Sequence, residues 1–142
     1  MGTEITATFT FDSWDEQEVL DTDGARIVRT TFVKTITGAL DGTSRGEMVM
    51  AYAAQGSAAY TGYERVEGTL AGRTGSFILR HNAFMAGGAG SSEVVVMASS
   101  GTGALVGLSG TASIERHDDG SLGFTLDYDL TEEDPTDTDV VR

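Results

Sequence analysis

Glu64, Arg65 and His81 are the residues whose types and surroundings lend themselves to chemistry. Glu64 and Arg65 sit in the middle of the run Tyr60-Thr61-Gly62-Tyr63-Glu64-Arg65-Val66. Strand alternation there sends one of the pair inward and the other outward, with Tyr60, Gly62, Glu64 and Val66 on one face. A carboxylate enclosed by protein is desolvated, which raises its pKa and suits it to proton transfer. The competing reading makes Glu64 and Arg65 a structural ion pair. His81 shares a face with Phe77 and Leu79. Folding the two runs back around Gly72-Arg73 sets Glu64 opposite His81 as direct cross-strand neighbours, a candidate acid–base dyad. The register decides this, because a slip of one residue would send the two to opposite faces. Taken alone, a histidine on an apolar face is a hydrogen-bonded core residue. Arg65 and Arg73 are candidates for contacting an anion or oxyanion. Tyr52, Tyr60 and Tyr128 are candidates for lining a ligand cavity, and Met48 and Met50, on the face of Tyr52, would make such a cavity adaptable.

The remaining composition removes other chemistries. The chain has 142 residues, 9 Lys plus Arg against 22 Asp plus Glu, a net charge of −13, 19 glycines, one proline and no cysteine. Without cysteine there is no disulfide scaffold, no thiolate nucleophile and no Cys-ligated metal. The acidic balance argues against a nucleic-acid partner, whose phosphates call for Lys and Arg. No apolar run approaches the ~20 residues of a membrane helix, and no signal peptide opens the sequence, so a cytoplasmic location is expected. His81 and His117 lack a metal-ligand spacing, no calcium loop appears, and Gly101-Thr102-Gly103 followed by Gly107 lacks the spacing of a dinucleotide fingerprint. Neither a metal nor a cofactor is expected. No Gly-x-Ser-x-Gly elbow is present either.

These residues must be positioned by strands. Ile5, Ala7, Phe9 and Phe11 alternate with threonines, and Leu122, Phe124, Leu126, Tyr128 and Leu130 alternate with Gly123, Thr125, Asp127 and Asp129. Period-two patterning and the abundance of Thr, Val, Ile, Phe and Tyr predict strands over 3–14, 26–39, 45–54, 57–71, 74–86, 92–99, 103–116 and 120–130. Asp41-Gly42, Gln55-Gly56, Gly72-Arg73, Gly87-Gly88, Ser100-Gly101 and Asp119-Gly120 read as tight turns between them. The acid-rich stretch from Asp12 to Asp23 reads as an edge loop. A weak Leu-x-Gly repeat, at Leu40, Leu70 and Leu105, places an apolar anchor before a turn. Eight strands joined mainly by hairpins must close or fold over to protect their edges, which favours a barrel. One all-β domain over 1–130 is expected, followed by an acidic, disordered tail over 131–142.

The stretch from Tyr60 to His81, with its Glu64-Arg65 and Gly72-Arg73-Thr74-Gly75-Ser76-Phe77 blocks, resembles a bacterial domain-of-unknown-function family, number thirty-two twenty-four. Phe11-Asp12-Ser13-Trp14-Asp15-Glu16, the Gly101–Gly110 segment and Leu126-Asp127-Tyr128-Asp129-Leu130 resemble the same family. That family is similar in fold to the allene oxide cyclase and dirigent barrels. The resemblance implies a closed antiparallel eight-stranded barrel with a ligand-sized interior and, by the habit of related barrels, a homodimer or homotrimer. The sequence departs from the family at Asn82-Ala83-Phe84-Met85, where a small residue and glycine are expected, and at Met97-Ala98-Ser99-Ser100, where Pro-Gly is expected.

Three functions follow as expectations. The first is binding of a small apolar or amphipathic molecule inside the barrel, with a cofactor-independent isomerisation or cyclisation run by Glu64 and His81. The second is a non-enzymatic binding or oligomeric module with a packed interior. The third is aspartate-dependent hydrolysis by Asp127 and Asp129, which share the face opposite Leu126 and Tyr128.

Overall fold

The computed structural model describes residues 2–131. The acidic tail expected over 131–142 lies outside the described residues, apart from Thr131. Nine strands form in chain order: β1 (Thr3–Thr22), β2 (Ala25–Gly38), β3 (Leu40–Tyr52), β4 (Ala58–Leu70), β5 (Arg73–Ala86), β6 (Ala89–Val96), β7 (Thr102–Gly103), β8 (Leu108–Arg116) and β9 (Leu122–Leu130). All pairings are antiparallel, and β4 pairs with β5 to close the sheet on itself. The two-residue β7 lies along Gly75 and Ser76 of β5, so eight longer strands make the barrel wall. Ala54–Gly56 forms one 3₁₀ turn, with Gln55 in the left-handed region at φ 62°.

Several boundaries differ from expectation. The acid-rich segment is not a loop: β1 runs on through it and pairs with β2 up to a tight turn at Asp23-Gly24, where both residues have positive φ. Gly24 supplies the turn, and the acids tolerate strand geometry because most stand in water. Asp41-Gly42 is not a turn either. The chain reverses at Gly38-Ala39, and Gly42 lies inside β3 opposite Gly68 of β4. The β4–β5 turn falls at Ala71-Gly72, not Gly72-Arg73, with φ of 51° and 82°. The run expected as one strand over 103–116 is split. β7 is followed by turns that bury Leu105, and β8 begins at Leu108. Of the glycines read as joints, Gly42 is thus an interior strand position, while Gly56, Gly72, Gly87, Gly88 and Gly120 lie between strands with positive φ.

The inward phase of each strand builds the interior. Leu40, Val66, Leu70, Phe77, Leu79 and Leu126 are at most 1% exposed and pack with Phe124 and Ile36 into an apolar plug. Leu40 and Leu70, two members of the Leu-x-Gly pattern, are direct cross-strand partners there. Beyond the plug the inward phase changes character. It carries Lys34, Ser44, Glu64 and His81, all buried, and then Met48, Met50 and Tyr60 toward an open mouth.

Two inward glycines shape this region. Gly46 is the direct partner of Glu64 and Gly62 the direct partner of His81. A Cβ at Gly46 would meet Tyr63 O and come within 2.7 Å of Phe32 Cζ. A Cβ at Gly62 would come within 2.8 Å of Met48 Sδ. The bare backbone leaves space for the larger partner to lean across. Gly46→Ala is expected to destabilise the barrel by about 1–3 kcal/mol through overpacking, measured by urea unfolding. An unchanged midpoint would show that the wall relaxes freely at this point.

Candidate functional site

Four consecutive strands each contribute one polar side chain to a single buried cluster. Lys34 comes from β2, Ser44 from β3, Glu64 from β4 and His81 from β5. Lys34 and Ser44 are directly paired across β2 and β3. Glu64 pairs with Leu79 and His81 with Gly62, so the expected direct pairing of Glu64 with His81 is corrected. Moving the turn back by one residue shifts the register by two. A two-residue shift preserves the face, so Glu64 and His81 remain diagonal neighbours on the same interior surface.

The Glu64 carboxylate is the hub. His81 Nε2 lies 2.8 Å from Oε1, and Ser44 Oγ donates to Oε2 at 2.5 Å. Lys34 Nζ lies 3.2 Å from Oε2 and 3.4 Å from Oε1. Burial pushes the Glu64 carboxyl up, as expected from sequence, but that push is outweighed. The His81 hydrogen bond, the Lys34 charge and the Ser44 hydrogen bond together hold it down at about 2. Glu64 is therefore an anion at neutral pH, not a proton donor. An ionised carboxylate only accepts, so His81 Nε2 must carry a proton. In that tautomer the ring's lone pair is on Nδ1.

Lys34 is only 5% exposed, yet its charge is met on both sides. Glu64 is on one side. On the other, Nζ stands 4.3 Å from the Phe9 ring centroid, 5.2 Å from Phe32 and 5.4 Å from Phe11. Trp14 completes the aromatic group, edge-on to Phe11 at 5.1 Å and stacked over Phe32 at 6.2 Å. A β-bulge at Asp12 makes this possible. It inserts one residue between Phe11 and Ser13, which flips the alternation and turns Phe11 and Trp14 to the same side. Thr35 Oγ1 donates to the bulged Asp12 carboxylate at 2.6 Å.

The cluster opens on a cavity of about 270 Å³. Its walls include the aromatic group, Lys34, His81, Met50, Tyr60 and the ends of β8 and β9. Met50 and Tyr60 also wall a neighbouring apolar recess at the mouth, of about 450 Å³, to which Tyr52 and Met85 contribute. Among the described residues, no group of three or more His, Cys, Asp and Glu side chains could hold a metal.

The residues singled out from sequence are thus distributed unevenly. His81 and Tyr60 line the cavity, and Glu64 stands behind them, joined to His81. Tyr52 stands at the mouth under Arg26, 5.5 Å from its ring. Arg65 points outward, beside Glu67 and Ser76, and does not pair with Glu64. Arg73 opens β5 at the far turn, and Tyr128 packs against the apolar core. Asp127 and Asp129 are both exposed on the outer face, which removes the setting a paired-aspartate hydrolase needs. Sequence reasoning missed Lys34, Ser44 and the aromatic wall. A signal existed for Lys34: it occupies the apolar phase between Phe32 and Ile36, where an unpaired charge is costly.

Comparison with known proteins supplies the family. The model for "Protein of unknown function (DUF3224)" matches residues 5–128. The chain belongs to the DUF3224 family. A crystal structure of a DUF3224 protein with unknown function from Shewanella oneidensis MR-1 is similar to it, with a TM-score of 0.85. The two are 32% identical over 93% of this chain and 100% of that one. No curated protein matches the chain.

Two predictions follow from the cluster. The depressed Glu64 pKa contributes stability that is complete above its unfolded value of 4.5 and is lost as pH falls toward about 2. Between pH 6 and pH 3 the native protein should therefore lose about 2 kcal/mol more than the Lys34→Met/Glu64→Gln double variant, in urea titrations at each pH. Equal losses would detach Glu64 from acid stability. At pH 7, Glu64→Gln alone should cost roughly 3–5 kcal/mol by leaving Lys34 buried without its counter-charge. Adding Lys34→Met should recover part of that loss, and simple additivity would contradict the coupling.

Proposed function

We propose that the barrel binds a small amphipathic molecule in the aromatic cavity and that His81 moves a proton on it. The observation that carries this reading is the buried Glu64–His81 pair, whose histidine lines a ligand-sized cavity. A cluster built only for packing would have no need of a ligand-sized space beside its histidine.

The chemistry follows from the partners. Nδ1 of neutral His81 accepts a proton from a carbon adjacent to a carbonyl. The anionic Glu64 steadies the imidazolium that results, in the manner of a carboxylate orienting a catalytic histidine. The Lys34 ammonium donates toward the carbonyl oxygen as it gains negative charge. Returning the same proton to a different carbon yields an isomer, with every proton accounted for and no cofactor consumed. Glu64 thus acts as the positioning group and His81 as the acid–base group.

The test uses 4-phenyl-2-butanone, an enolisable ketone small enough for the cavity, in D₂O. Trp14, the chain's one tryptophan, stands at the cavity wall and reports occupancy by its fluorescence. The native protein should quench on addition and exchange the protons next to the carbonyl faster than buffer, read by NMR. His81→Asn should keep the quenching but lose the acceleration by roughly 10²–10⁴-fold. Exchange at the buffer rate, or full exchange in His81→Asn, would remove the catalytic part of the proposal.

A further inference from the structure

Arg116 is a charge that the cluster and its chemistry leave unused. It ends β8 in the inward phase of Leu108, Ala112 and Ile114, and it lines the same cavity as Lys34 and His81. Its surroundings in the chain are acidic, with a net charge of −13 overall. Arg26, Arg29, Lys34, Arg65 and Arg80 each have a carboxylate partner. No such pair is seen for Arg45 or Arg116 among the described residues, and of these two Arg116 lines the cavity. Glu16, two residues beyond Trp14, accepts a hydrogen bond from the indole at 3.0 Å.

We infer that the ligand is an amphipathic organic anion whose acidic group is held by Arg116 at the mouth of the cavity. This rests on the cavity being a ligand site, as proposed above, and it adds the ligand's charge and orientation. Two cations line one small space in an otherwise strongly acidic protein, and they do so differently. Lys34 is neutralised by Glu64 and faces inward as a hydrogen-bond donor. Arg116 is exposed and offers the planar fork that suits a carboxylate. Between them, Trp14 and Phe11 from β1 and Ile114 and Leu122 from β8 and β9 supply an apolar corridor. A ligand that satisfies all three parts has a carboxylate at one end, a short aryl or alkyl body and a carbonyl-type oxygen at the inner end. A cationic ligand is disfavoured, since the aromatic faces that would receive it are already held by Lys34.

The experiment compares 3-phenylpropionate with 3-phenylpropionamide, which share one apolar body and differ in charge. Both are titrated by Trp14 fluorescence. The native protein should bind the acid about tenfold or more tightly than the amide, and added salt should weaken the acid alone. Arg116→Gln, at an exposed position that leaves the barrel intact, should abolish that preference by weakening the acid only. Arg116→Lys should restore part of it. Equal affinity for acid and amide in the native protein, or a parallel loss of both in Arg116→Gln, would overturn the anion assignment while leaving the cavity a ligand site. If neither compound perturbs Trp14, the cavity itself fails as a ligand site, and this inference with it.

Discussion

One buried carboxylate organises the open half of this barrel. Glu64 is 2% exposed and ionised, and an anion in that position persists only if its surroundings replace water. Three donors do so, and they arrive from the neighbouring strands β2, β3 and β5. Each must approach on the inward phase and at nearly the same height along the barrel. That requirement ties four consecutive strands to one register. It also accounts for Gly46 and Gly62, which stand directly opposite Glu64 and His81 and give them room to lean diagonally.

The cluster lies at a boundary between two kinds of interior. Below it, leucines, valines and phenylalanines fill the barrel. Above it, the lining becomes aromatic and thioether-rich and encloses space. Lys34 links the two. Its ammonium is neutralised by Glu64 while three phenyl rings cover its other side, which lets a full positive charge stand in a largely apolar wall. The Asp12 bulge is part of the same construction, because without its extra residue Phe11 and Trp14 would face opposite ways.

Much of this was legible in the amino-acid order, and the exceptions have identifiable causes. Period-two alternation correctly grouped Glu64 with Tyr60 and Val66, and His81 with Phe77 and Leu79. Burial was correctly assigned to Glu64, but its protonation state was inverted, because desolvation can be guessed from one strand while the compensating lysine lies 30 residues away. Arg65, adjacent in sequence, was an attractive partner for Glu64 and is excluded by the same alternation that placed Glu64 inside. Tyr128 and Arg73 belong to the barrel's other regions, and only closure separates them from the cavity.

The sequence by itself determined the all-β class and, where alternation is regular, which side chains share a face. Those properties depend on a period of two and on turn residues, both of which are local. The tertiary structure decided which interior residues touch. Register, bulges and closure depend on contacts between strands far apart in the chain. A single-residue move of the β4–β5 turn shifts every pairing by two without changing any face. The contact between Glu64 and His81 therefore survived an error in register, whereas Lys34, Ser44 and Arg116 came into view only once the sheet was closed around them.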